Sequence, residues 1–306
     1  MFTINSAIGF KDVELGDKPV FDRFFQATGH NNSECTFTYY YMWRKAGRIK
    51  WAIVEGCLCI LLDFFGKPFF FPPYGATREN FRAVIDKMKA HLAASGYPFY
   101  MRAVTKPFLA LFRAAAPGRF SFTLSRDSAD YIYRGDDLRE LRGRKYDGKR
   151  NHINAFLRAH PDFRYLPVTR DNLSECLNFL DCWFQKRPPS TYLAKEREAI
   201  CEIMHNLEAL GVKGAVIEIS GRIEALTLGE AINSATAVIH AEKANEEIRG
   251  LYQVINREFC RREWAGMAFI NREEDMGVAG LRQAKLSYFP CALLEKYEVT
   301  ETGGAA

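Results

Sequence analysis

The order of apolar and polar positions along the chain alternates between two rhythms, one with the period of a helix and one with the period of a strand. In "DKPVFDRFFQATG" (17–29), apolar residues at 20, 21, 24 and 25 mark one face of a helix. "IKWAIVEGCLCILLD" (49–63) and "PFFFPPYG" (68–75) are apolar runs closed by turn residues and read as buried strands. A helix follows over 77–96, with Thr77 as its cap candidate and Gly96 at its end, and strands follow at "YPFYMRAV" and over 119–134. The second half returns to the same plan. Helices are predicted over 148–160, 171–187, 190–211 and 246–264, and a short one from 277. Strands are predicted at "FRYLPV", 214–220, 222–232, 235–244, 266–273 and 292–299.

An echo links the halves. "DVELGDKPVFDRFFQ" and "PVTRDNLSECLNFLDCWFQ" each pass from a strand end, through an Asp-capped start, into an amphipathic helix, and Asp17 and Asp171 stand 154 positions apart. A repeat of that length implies two similar domains in tandem, because solenoid periods run to about 20–50 residues. The charged stretch 134–148 is the expected boundary, which divides the chain into 1–140 and 141–306.

Composition leaves this picture intact. With 306 residues, 48% hydrophobic and 26% charged, the chain has the balance of a globular protein with ample core for two domains. The formal charge of +5 is mild for a dedicated nucleic-acid binder and compatible with an anionic ligand. Eight scattered cysteines and the lack of a secretory pattern at the start lead us to expect reduced thiols in a cytoplasmic protein. Cys57-Leu58-Cys59 lies on a strand without histidines at zinc spacing and reads as core packing. The longest apolar run, 57–71, contains Asp63, Lys67 and Pro68 and is too short to cross a bilayer. No transmembrane segment and no metal site are expected.

The second half, ordered helix, helix, three antiparallel strands, helix, strand, helix, strand, has the layout of a GNAT acyltransferase, so the expected fold class is α/β (α+β) with two tandem GNAT-like domains. In that layout an acyl donor docks between two splayed strands, here 235–243 and 266–272. A coenzyme A donor needs a Gly-rich turn whose amides cradle pyrophosphate. This chain instead offers Glu247-Ile-Arg-Gly250-Leu-Tyr252, acidic at its first position and bulky at its last. Coenzyme A is therefore not expected as cofactor.

Three blocks, "LRGRKYDGKRNHINAF", "HAEKANEEIRGLYQVINREF" and "NREEDMGVAGLRQAKLSYFP", resemble the C-terminal domain of bacterial phosphatidylglycerol lysyltransferases, and more closely its soluble relatives of unknown function. The resemblance is strongest over 130–299 and does not extend to the lysyltransferases' membrane-embedded half. It implies a tandem GNAT pair, also used by Fem-type aminoacyltransferases, an aminoacyl-tRNA donor, and a small-molecule, peptide or lipid-headgroup acceptor. A lipid acceptor would make a cytoplasmic protein peripheral to the membrane.

Several residues are candidates for the chemistry. In the last block Val278, Leu281 and Lys285 share a helical stripe bordered by Arg282, which turns a cation inward. Such a cation needs a partner or a cleft, and the expected partners are Asp275 and Glu242. Asp275 reads either as an N-cap or as a carboxylate that holds an amino group. Lys149 lies on the inner stripe of its helix, either as a snorkelling lysine or as an anion clamp with Arg150 and His152. Alternation puts His240 and Glu242 on one strand face, as a general-base pair or as a satisfied core histidine beside a surface Glu–Lys pair. Tyr252 and Asn256, one turn apart, either orient a polar substrate or bond to each other. Two functions follow: transfer of an acyl or aminoacyl group to an amine or hydroxyl, or non-catalytic binding of an anionic metabolite. Lys285, Arg282 and Asp275 would carry catalysis, and Lys149, His152, His240, Glu242, Tyr252 and Asn256 would bind substrate.

Overall fold

The computed structural model describes residues 8–303 except 30 and 65. In chain order it has β1 (Lys11–Asp12), α1 (Lys18–Thr28), α2 (Phe37–Trp43), β2 (Lys50–Val54), β3 (Cys57–Phe64), β4 (Lys67–Phe70), α3 (Phe81–Ala94), β5 (Tyr100–Val104), α4 (Lys106–Ala115) and β6 (Phe120–Arg134). Helices α5 (Gly135–Glu140) and α6 (Asp147–Ala159) follow, and then the same succession returns. It comprises β7 (Arg164–Pro167), α7 (Leu173–Gln185), α8 (Thr191–His205) with the short α9 (Leu207–Leu210), and β8 (Lys213–Ile219). It continues with β9 (Arg222–Ala231), β10 (Thr236–Ala244), α10 (Leu251–Arg262), β11 (Phe269–Asn271), α11 (Ala279–Leu286) and β12 (Ala292–Glu301).

The two repeats are GNAT-like units in tandem, built into one twelve-stranded sheet of order β1-β2-β3-β4-β5-β12-β6-β11-β10-β9-β8-β7. Read from either edge, the order is the same in both repeats up to the middle, where the final strands change places. β6 pairs with β11 of the second repeat, and β12 pairs with β5 of the first. Among the described residues only β4–β5 and β10–β11 are parallel neighbours, one in each repeat. Each repeat also makes its first hairpin the same way. Glu55-Gly56 joins β2 to β3, and Ser220-Gly221 joins β8 to β9, with positive φ at both residues of each turn. Such tight turns match the twist of the flanking strands and place glycine where a left-handed backbone is required.

Apolar side chains pack on both sheet faces. One cluster covers both sheet faces in the first repeat and continues to the inner faces of α7 and α8, including Phe21, Phe37, Leu58, Cys176, Leu180 and Ile203. The other lies under α5, α6 and α10 and includes Tyr131, Ile153, Phe156, Ile239 and Phe259. Cys57 and Cys59 are buried in the first cluster. The pattern reading does not anticipate α2 and α4. Almost every side chain of α2, "FTYYYMW", is buried, so it has no amphipathic stripe to read. Asn206 separates α8 from α9, and α10 starts at Leu251 rather than 246, after Gly250 at φ 88°. Asn172, not Asp171, stands at the N-cap of α7. Asp17 accepts from Trp51 and from the amide of Glu14 instead of capping α1 with its side chain.

Candidate active site

The parallel pairs are the places where neighbouring strands part. Between β10 and β11 three residues pair, ending at Val238↔Asn271. Beyond that point β10 runs on to Ala244 while the other chain turns away. A bulge marks the parting, since the register of β10 jumps between Ile239 and Ala241. The extra residue resets alternation. His240 and Glu242, expected on one face, therefore act on opposite faces with different partners.

On the first face His240 Nδ1 lies 2.9 Å from Glu273 Oε1, and its Nε2 lies 2.9 Å from Glu230 Oε1. Burial of the ring works against charge, but the two carboxylates outweigh it and raise the pKa to about 9. At neutral pH this is an imidazolium with both N–H groups committed, which cannot serve as a general base. Beside it lies a buried ionic cluster. Lys296 of β12, with no exposed surface, donates to Glu34 at 2.6 Å, to Asp130 at 2.7 Å and to Ser33 Oγ at 3.2 Å. Asp130 also accepts from Ser33 N at 2.7 Å and from Asn271 Nδ2 at 2.9 Å. Glu274 faces the same cluster. Burial pushes its carboxyl up despite Lys296, and its Oε2 is buried with no hydrogen-bond partner.

On the second face Arg272 donates to Glu242 at 2.9 Å, and Asn256 Nδ2 donates to the other Glu242 oxygen at 2.9 Å. Arg272 Nη1 and Asn256 Oδ1 are buried there without partners. Lys149 comes in from α6, donates to Ser287 Oγ at 2.6 Å and lies 4.0 Å from the centre of the Tyr288 ring. Burial, with Arg272 nearby, lowers its pKa to about 8. Arg150 turns away to Asp147 and to the carbonyls of Leu141 and Gly143, and His152 is exposed. The Lys149–Arg150–His152 clamp is not assembled. Tyr252 accepts from Trp183 Nε1 at 3.3 Å and does not pair with Asn256.

His152 and Tyr252 line an open pocket of about 360 Å³ at the start of α10, with Glu246, Glu247, Arg249 and Gly250. A side chain at Gly250 would collide with the carbonyl of His152, so α6 presses directly on this helix start. Lys186 and Arg187 pair with Glu247 and Glu246.

Lys285 points at backbone, not at Asp275 or Glu242. Its ammonium donates to the carbonyls of Arg272 (2.5 Å), Glu273 (3.1 Å) and Glu274 (2.5 Å). Burial lowers its pKa to about 8. All three N–H donors are used, so this lysine fixes the turn that carries Glu273 and Glu274. Val278, expected as an apolar anchor, is 52% exposed, and Lys285 is the buried residue of α11. Asp275 is fully buried and neither caps α11 nor has a free oxygen. It is held by both Arg282 Nε and Nη2 (each 2.8 Å), by the Tyr131 hydroxyl (2.5 Å) and by the amide of Gly277 (2.9 Å). The Arg282 guanidinium keeps its carboxyl well below the usual range. Arg282 thus meets its expected partner.

Sequence reasoning missed Glu34, Asp130, Glu230, Arg272, Glu273, Glu274 and Lys296. Two of them, Asp130 and Lys296, are fully buried within β6 and β12, strands of mixed composition whose other charges hide them. Their meeting depends on β12 crossing into the first repeat, which no local pattern encodes.

The family model for phosphatidylglycerol lysyltransferase, C-terminal, matches residues 25–300. The chain belongs to the phosphatidylglycerol lysyltransferase C-terminal family. A conserved protein of unknown function from Bacteroides thetaiotaomicron is 36% identical, with a TM-score of 0.90 over 96% of this chain and 100% of that one. L-PGS from Bacillus licheniformis shares the fold at 15% identity and a TM-score of 0.68, over 94% and 93% of the two chains. So does a tandem GNAT protein from the clavulanic acid biosynthesis pathway, at 12% identity and a TM-score of 0.52, over 98% and 100%. No curated protein matches the chain. Among the described residues of this family member, no helix is long and apolar enough to cross a membrane.

Proposed function

We propose that the chain transfers an aminoacyl group, carried on tRNA, to an amine or hydroxyl acceptor at the junction of β10 and β11. The observation that carries this reading is the unpartnered carboxylate oxygen of Glu274. It sits among Glu34, Asp130 and Glu273, against which stand Lys285 and Lys296, while His240 bonds to Glu273. An acidic cluster with one unpartnered buried acceptor suits an ammonium group, and every aminoacyl ester carries one. In transfer, the acceptor nitrogen or oxygen bonds to the ester carbonyl carbon, the bond to the tRNA 3′ oxygen breaks, and the acceptor's proton leaves with that oxygen. The protein contributes mainly position and fixed charge. His240 holds Glu273, and Lys285 holds the turn beneath both glutamates.

Coenzyme A does not suit the start of α10, where Glu246, Glu247 and Tyr252 line the pocket and α6 packs against Gly250. A small molecule, a peptide or a lipid headgroup would serve as acceptor, and a headgroup would bring the chain to a membrane surface. The test is turnover with a panel of charged tRNAs and acyl-coenzyme A thioesters. We expect product only from charged tRNA, and Glu274→Gln should raise KM for it by about 30-fold or more, the cost of removing one partner of a buried charge pair. Micromolar coenzyme A binding with acyl transfer would overturn the donor assignment. Ligand binding with no turnover from any donor would favour a non-catalytic module that binds an anionic metabolite.

A further inference from the structure

The cluster around Lys296 has an imbalance that the transfer reaction does not by itself explain. The Lys296 ammonium has three protons, and all three are taken by Glu34, Asp130 and Ser33. The remaining oxygen of Glu34 accepts from Asn32 Nδ2 at 2.9 Å, and that of Asp130 accepts from Ser33 N and Asn271. Glu274 has only its own backbone amide as donor, and its Oε2 has none. Several carboxylates brought together in a dry interior do not all ionise against one shared ammonium, and the proton settles on the group with the fewest donors.

We propose that in the free protein Glu274 is a neutral carboxylic acid, and that an incoming ammonium group is taken up in exchange for its proton, with Glu34 of the first repeat setting that balance. The exchange is R–NH3⁺ plus Glu274–COOH giving the ammonium–carboxylate pair, with one proton passing to solvent. It rests on the reading above that the acidic face receives the ammonium.

The groups that face Glu274 come from every surrounding element. They are Lys296 of β12, Asp130 of β6, Glu34 and Tyr39 at α2, Glu273 and Lys285 around β11 and α11, and Tyr192 of α8. Burial outweighs the attraction of Lys296 at both Glu34 and Glu274 and holds both carboxyls above the usual range. Neither repeat has this property alone: Ser33 and Glu34 precede α2, while Glu274 and Lys296 lie some 240–260 positions further on. The first repeat thus contributes to ligand selection.

Two measurements on the intact protein test this. Infrared difference spectra of the free protein at pH 7 should show a protonated, buried carboxyl that Glu274→Gln removes and Glu34→Gln shifts. Titration with L-alaninamide in two buffers of different ionisation heat should show release of about one proton on binding, with affinity rising about tenfold per pH unit below the carboxyl's pKa. N-acetyl-L-alaninamide, which lacks the ammonium, should release none, and Glu34→Gln should reduce the release from L-alaninamide. Binding of L-alaninamide without proton release overturns the exchange and leaves the ammonium site standing. A protein that carries the protonated carboxyl yet fails to bind L-alaninamide overturns the ammonium site, and the exchange with it.

Discussion

The two repeats offer the same topological opening and fill it in opposite ways. In the first, β4 and β5 share a single parallel pair, Phe70↔Met101, and the space beyond is closed by rings. Tyr74, which follows β4, meets Phe108, which follows β5, edge-on at 6.1 Å, and it meets Phe25 at 4.9 Å. In the second, the strands part at Val238↔Asn271, and charged pairs bridge the gap, His240–Glu273 on one face and Arg272–Glu242 on the other. Burying an ion pair costs desolvation that an apolar plug avoids, so such a pair is weak evidence of a stabilising role. Charge at one of two equivalent junctions supports the transfer site proposed at β10 and β11.

The largest effect is expected at Lys296. Lys296→Met leaves Glu34 and Asp130 buried against each other without their shared cation, and should cost about 3–5 kcal/mol in chemical denaturation. Adding Glu34→Gln and Asp130→Asn should return much of that loss while the transfer activity stays lost. If Lys296→Met alone is as stable as the parent, the cluster is not the dry, charged interior described here.

A second contrast lies in two buried histidines. His91 of the first repeat packs edge-on to Phe10 at 4.6 Å, with neither ring nitrogen bonded, and burial depresses its pKa. His240 is raised to about 9 by its two carboxylates, which outweigh the opposing effect of burial. For His240 the native state holds a proton that the unfolded chain has lost above about pH 6.5, so its contribution is complete below that pH and disappears as pH rises toward 9. That window corresponds to roughly 3 kcal/mol, and His240→Gln should flatten the alkaline fall. His91 has the opposite sign. Its contribution is complete above about pH 6.5 and is lost as pH falls, and His91→Phe should flatten the acid side. Denaturation curves from pH 5 to 9 on the two variants measure both, and parallel behaviour of the two histidines would contradict the contrast.

Local pattern made much of this fold legible. The inner stripe of α7 (Leu173, Cys176, Leu177, Leu180, Phe184) is the face that packs, and the strands at the V-shaped opening lie where the GNAT layout put them. The site was legible only in outline. Lys285 announced itself as an inward cation, but its partners are carbonyls, which carry no sequence signal. A bulge of one residue at His240 reversed the faces of His240 and Glu242, and alternation cannot register such a shift. The Lys296–Asp130–Glu34 contacts join segments more than 160 positions apart through an exchange of strands. Pairing of that kind belongs to topology rather than to propensity.

The smallest predicted effect lies at the aromatic junction of the first repeat. The main polar contact within the aromatic plug is the hydroxyl pair Tyr40–Tyr74 at 3.0 Å, both phenols held well above their usual pKa by burial. Neither ionises in the working range, so this junction should contribute no pH dependence. Tyr74→Phe keeps the rings in place and leaves the Tyr40 hydroxyl without this partner in an apolar setting, at a cost of about 1 kcal/mol. The double change Tyr40→Phe with Tyr74→Phe removes both groups and should come closer to the parent than the single one. Transfer from charged tRNA should be unchanged in both variants, because the plugged junction holds no substrate. Loss of transfer with stability preserved would mean that the first junction opens to ligand after all, and the distinction drawn between the two repeats would fail.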